Sequence, residues 1–297
     1  MSIVHWVALS IGARLGRQTI ARLIAHCGSL EAIFTATPET LRQVKGVGPK
    51  TSAAIVAIRL DQVEALLAEV AAQGVHAIAC EDKGYPANLK QIDDPPPALF
   101  MRGSILPVDA RAVAIVGTRD PSRRGEELAY TLGYELARRG WTIVSGLALG
   151  IDMLAHQGAL DAGGRTLAVL GGGLLNIYPP NNQSLADKIA GAGALLSETH
   201  PRASVSPQTL MARNRVTSGL SRAVIVVEAH ADSGSVSTAR RAWAQGRGVF
   251  AASGGDDAGC AALLRDGAAA ISDWDNGDNL SERLERDGKQ PPHVTRS

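Results

Sequence analysis

Between residues 113 and 255 the chain repeats one pattern: a short apolar run, a glycine- or serine-rich cluster, then a helical stretch. The apolar runs expected as strands lie at 113–116, 142–144, 167–170, 194–196, 223–227 and 249–252. None alternates apolar with polar residues, the mark of strands buried on both faces of a parallel sheet. Strand–helix alternation with right-handed crossovers then predicts a doubly wound, mostly parallel α/β sheet. The polar clusters come after the strands: Gly117-Thr118-Arg119, Ser145-Gly146, Gly171-Gly172-Gly173, Ser197-Glu198 and Ser253-Gly254-Gly255. In an open α/β sheet the carboxyl ends of the strands are the ligand edge, so the site is expected there.

The richest part of that edge is 213–242, RNRVTSGLSRAVIVVEAHADSGSVSTARRA. Arg213-Asn214-Arg215 is expected before a short helix, and Ser233-Gly234-Ser235 opens a helix at 236–245. Glycine permits the turn, and the unpaired N–H groups of a first helical turn attract an anion. Arg213 and Arg215 are expected to share the rim, and Arg119 supplies a third guanidinium suited to bidentate phosphate contacts. Together these predict a phosphate-bearing ligand. Asp152 and His156, four apart on one helix face, could be a metal or acid–base pair, but no third ligand stands out by spacing, and a structural pair is the simpler reading. Glu198 and Glu228 end strands on the same edge; an acid–base pair is conceivable, with ion pairing to nearby arginines the simpler role. The Gly-x-Gly-x-x-Gly fingerprint and the Walker lysine loop are both missing, which disfavours NAD binding and ATP hydrolysis. No cofactor, metal or catalytic residue is expected.

Residues 1–72 read as a small helical domain, 73–274 as the α/β domain and 275–297 as a charged tail, a frayed helix followed by disorder. Within the front domain, LRQVKGVGPKTSAAIVAIR at 41–59 has the form of a helix-hairpin-helix. Gly46, Gly48 and Lys50 are candidates for accessory DNA phosphate contacts; the alternative is a tight turn between packing helices. The stretch 75–103, with Pro95-Pro96-Pro97, reads as an extended linker with a short edge strand at 98–101. A net charge of +1 confines any nucleic-acid surface to a local patch. Aromatic content of 4% limits base stacking. Cys27, Cys80 and Cys260 are odd in number and far apart, which fits neither disulfides nor zinc. The start MSIVHWVALS has no signal-peptide pattern, and no apolar run is long enough to span a membrane, so a cytoplasmic chain is expected.

The ordered phrases GYPANLKQIDDPPPALFMRG, VAIVGTR, IVSGLALGIDMLAHQGAL, LAVLGGG with YPP beyond it, LLSE, RNRVTSGLS, VIVVEA and SGSVSTARRA resemble the DNA-processing protein A family (DprA, also called Smf). The likeness spans residues 85–271. It implies an extended Rossmann-like domain that binds single-stranded DNA, forms a homodimer and presents DNA to RecA recombinase in natural transformation, without an established catalytic step. Carried over by position, the DNA pocket would comprise Gly117, Thr118, Arg119, Ser145, Gly146, Arg213, Asn214, Arg215, Ser233, Gly234 and Ser235. The chain departs from the family where Phe and Lys are usual before the Arg-Asn-Arg triplet: Leu210 and Pro207 stand there. Ser253-Gly254 replaces a usual Pro-Gly, and Gly259-Cys260-Ala261 a usual Gly-Thr-Asn. The C-terminal winged-helix module of some members is not expected. Two other readings are a nucleoside-monophosphate hydrolase, whose Pro-Gly-Gly-x-Gly-Thr-x-x-Glu signature is missing, and a divergent nucleotide-binding sensor.

Overall fold

The computed structural model describes residues 2–255, 257–271 and 277–287. One sheet holds β1 (Val75–Ala79), β2 (Ala98–Gly103), β3 (Ala112–Val116), β4 (Thr142–Ser145), β5 (Thr166–Val169), β6 (Ala194–Ser197), β7 (Ala223–Val226), β8 (Gly248–Ala252) and β9 (Ala269–Ile271). Their order is β1-β2-β6-β5-β4-β3-β7-β8-β9. From β6 across to β9 every neighbouring pair is parallel. β2 runs antiparallel to both β1 and β6. The chain therefore winds outward from β3 to β6, returns to place β7 beside β3, and winds outward again. This is the doubly wound sheet that the repeated pattern predicts, with its switch point between β3 and β7.

Burial explains the lack of polar alternation: every residue of β3 through β8 is buried. Val113 and Ile115 face one way, toward Leu132 and Leu136 of the Arg123–Arg138 helix and Ala155 of the Ile151–Asp161 helix. Ala114 and Val116 face the other, in the core shared with Val216 and Ala239. Ser122 caps the Arg123–Arg138 helix by accepting from the Gly125 N–H, as a serine before a helix should.

Three expectations are corrected. The 98–101 strand is not an edge: β2 lies inside the sheet, and β1 is the edge. The preceding prolines are buried, with the Tyr85 hydroxyl donating to the Pro96 carbonyl at 2.8 Å, so this stretch is packed and not a loose linker. The charged segment after 274 includes a docked helix, Gly277–Asp287. Its Leu280 and Leu284 join the core, Ser281 accepts from the Trp141 indole at 2.9 Å, and Glu285 binds Arg111 and Arg222 at 2.7 Å each. Residues 288–297, where disorder was expected, lie outside the described residues.

The front is helical as expected, and it shares one buried core with the sheet edge: Trp6, Leu9, Ile20 and Ile55 belong with Val75 and Leu99. In the hairpin before the Pro49–Val56 helix, Val44 and Val47 point inward while Lys45, Gly46 and Lys50 are exposed. Gly46 has φ 93°, a left-handed turn that suits glycine. Among the described residues no helix is long and apolar enough to cross a membrane.

Candidate nucleic-acid interface

Where β3 and β7 part, an open cleft of about 440 Å³ forms at their carboxyl ends. Its near wall is the loop after β3. The Thr118 N–H donates to the Glu228 carbonyl at 2.7 Å, and the Ser235 hydroxyl donates to the Gly117 carbonyl at 2.8 Å. The loop is therefore fixed between β7 and the next helix, and it presents an exposed Arg119. A second wall is the start of the Gly234–Ala244 helix, capped by the Ser233 hydroxyl accepting from the Val236 N–H. Gly234 and Ser235 fall in its first turn, where N–H groups lack an intrahelical acceptor. The third wall is the Pro207–Leu220 helix, which supplies Pro207, Leu210, Met211, Arg213 and Asn214. The Asn214 amide donates to the Gly234 carbonyl at 3.2 Å and ties the two helices together.

Arg213 has a place no sequence signal reveals. Among the described residues it takes no hydrogen bond and no ion pair, and its Nε is sealed from solvent without an acceptor. Its guanidinium rests against Gly146, in the loop after β4. Asp152 lines the cleft floor, and its Oδ2 accepts from the N–H groups of Gly146 (3.1 Å) and Ala148 (3.4 Å). Burial raises the Asp152 carboxyl above the ordinary aspartate range, with the Arg213 charge opposing that shift. Burial also lowers Arg213 from the usual guanidinium range, opposed by Asp152 and reinforced by Arg119. A cleft holding two guanidiniums, neither of them hydrogen-bonded or ion-paired among the described residues, favours an entering anion.

Six of the sequence-derived residues do not line this cleft. The Arg-Asn-Arg triplet lies inside the helix, not ahead of it, so residues two apart point to different sides. Arg215 accordingly turns away: it holds Glu198 through two bonds of 2.9 and 2.6 Å and Asp94 at 3.0 Å. Ser145 is fully buried and donates to the Ile115 carbonyl at 2.6 Å, a cross-strand tie. Gly146 lies beneath Arg213. Gly46, Gly48 and Lys50 sit apart, on the front hairpin.

The two strand-ending carboxylates are both engaged. Glu198 is the partner of Arg215, and Glu228 accepts from the Ser122 N–H (3.1 Å) and hydroxyl (2.9 Å). Across His230, which lines both, a second cavity of about 580 Å³ carries Glu228 and Asp257. Two carboxylates make it the poorer seat for a phosphate. His156 is buried, its Nδ1 2.6 Å from the Thr166 hydroxyl, and burial pulls its pKa down to about 3. Among the described residues no three His, Cys, Asp or Glu side chains are grouped to hold a metal ion. Sequence reasoning missed Asp152 as cleft floor, although its place in the loop-to-helix junction after β4 puts it on the ligand edge.

The fold defines a Rossmann-like α/β protein with a helical front, carrying a cationic cleft at the topological switch point. The family model described as DNA recombination-mediator protein A matches residues 76–284, and a helix-hairpin-helix motif matches 29–58. This chain belongs to the DNA recombination-mediator protein A family. It is 42% identical over 226 residues to the DNA processing protein DprA of Bacillus subtilis, covering 74% of this chain and 75% of that protein. Its fold is similar to the X-ray structure of DprA from Streptococcus pneumoniae, with TM-score 0.81 and 30% identity over 94% of this chain and 97% of that one. A structure of Helicobacter pylori DNA processing protein A, solved for its single-stranded DNA binding mode, has TM-score 0.64 and 33% identity over 72% of this chain and 96% of that one.

Proposed function

We propose that this chain binds single-stranded DNA in the switch-point cleft and, as a homodimer, presents it to RecA recombinase during natural transformation. The observation that carries the reading is Arg213, a guanidinium held without a partner beside the exposed Arg119 and the helix start at Ser233-Gly234-Ser235. Arg119 and Arg213 would neutralise strand phosphates, and the first-turn N–H groups of Gly234 and Ser235 would hold another oxygen. Leu210 and Met211 would offer apolar surface to the bases in place of an aromatic platform. Arg215 supports the cleft from behind by fixing its helix to Glu198. The exposed hairpin of Gly46, Gly48 and Lys50 would add accessory phosphate contacts.

The proposed role is binding without a catalytic step. Engagement of Glu198 by Arg215 and of Glu228 by Ser122 supports this over a hydrolase, because neither carboxylate is free to act on a ligand in the cleft. The Helicobacter pylori protein's single-stranded DNA binding mode supports the choice of ligand. Labelled poly-dT titrated against duplex DNA, with a mononucleotide as competitor, tests the reading. Strand-selective binding that a mononucleotide displaces only at large excess is expected; tighter binding of the mononucleotide would favour the sensor instead. RecA assembly on the strand should be faster with the chain present than without it.

A further inference from the structure

Gly146 has no conformational need to be glycine, since its φ is not in the left-handed region. What it lacks is room. A Cβ built there would lie 1.5 Å from Nη1, 2.4 Å from Cζ and 2.5 Å from Nη2 of Arg213. The space glycine leaves is filled by the guanidinium, not kept open for a ligand's approach. The loop that carries it is fixed from below, because the Asp152 carboxylate accepts from the N–H groups on both sides of Leu147. Asp152 attracts Arg213 by charge without forming an ion pair with it. An aspartate gripping the guanidinium directly would consume donors that a phosphate needs.

We infer that Gly146 and Asp152 are positioning residues, a socket that holds the Arg213 guanidinium at the cleft with its donors unspent. The inference rests on the strand-binding reading and assigns each member of the cleft its part: Arg213 grips, Gly146 gives it space, Asp152 fixes the loop and supplies the opposing charge. Since Arg213 is the far end of a flexible side chain, Gly146→Ala leaves the fold intact and expels the guanidinium.

Poly-dT affinity and its salt slope are measured for the wild type, Arg213→Ala, Gly146→Ala, Asp152→Asn and the doubles with Arg213→Ala. Arg213→Ala should weaken binding roughly tenfold and flatten the log–log salt slope by about 0.7. Gly146→Ala should reproduce both changes, and Asp152→Asn part of them. Neither should add to Arg213→Ala. Wild-type affinity in Gly146→Ala, or an equal further loss in the Arg213→Ala background, overturns the socket and leaves the strand reading intact. If the wild type binds no strand, the strand reading falls and phenylglyoxal modification of Arg213, followed by peptide mass spectrometry, judges the socket alone. Faster modification in Gly146→Ala supports it, and equal rates overturn it.

Discussion

At the scale of residues, two positions along a helix turn a side chain about 200° around the axis, and this separates Arg213 from Arg215. Arg215 and Glu198 have side chains only 15% and 19% exposed, so removing either leaves a charge half out of water. Arg215→Ala should cost about 2–3 kcal/mol of stability in urea unfolding while leaving the strand salt slope near that of the wild type. Wild-type stability together with a flattened slope would put Arg215 on the strand instead. His156 makes a pH prediction. Its folded pKa of about 3 lies below the ordinary 6.5, so between those values the unfolded chain binds a proton that the folded chain does not. Stability is therefore lost as pH falls below about 6, by about 1.4 kcal/mol per pH unit from this group alone. His156→Asn, which cannot charge, should reduce the slope of the unfolding free energy from urea titrations against pH by that amount, whatever cavity it leaves. An unchanged slope would mean the imidazole is not held neutral.

Elements show which signals survive the passage from sequence to fold. Strands β3 to β8 were legible because burial on both faces leaves an unbroken apolar run, and the glycine clusters after them marked the ligand edge. For the Gly277–Asp287 segment a frayed helix was legible but its docking was not, because Leu280 and Leu284, one turn apart, are the only buried apolar side chains among its described residues. Leu284 is fully buried, so Leu284→Ala should cost about 2–5 kcal/mol in urea unfolding. A variant as stable as the wild type would mean that the helix does not dock in solution. The interior place of β2 was hidden by the three prolines before it, which excluded regular structure only up to Pro97. Of the residues that line the cleft, the strand-end rule pointed to Gly117, Thr118, Arg119 and Ser233 to Ser235; Arg213 was expected there from its nearness in sequence, and Asn214 from the family likeness. The divergence of Arg215 depended on where its helix begins, and the seat of Arg213 on Gly146 depended on packing between residues 67 apart in sequence.

For the molecule as a whole, the doubly wound order brings the loop after β3, the loop after β4 and two helix starts to one switch point, and the charge there is local, as a net charge of +1 requires. The helical front shares its core with the sheet edge, which gives the exposed hairpin a fixed position relative to the cleft. A strand gripped by Arg119 and Arg213 should release counterions in proportion to the phosphates held. The most direct measurement of that claim is poly-dT affinity across a series of salt concentrations, for the wild type and Arg119→Ala. The wild type should give a straight log–log line, and Arg119→Ala, an exposed residue whose loss spares the fold, a line shallower by about 0.7. Equal slopes for the two, or no strand binding at moderate salt, would contradict the assignment of this cleft to single-stranded DNA.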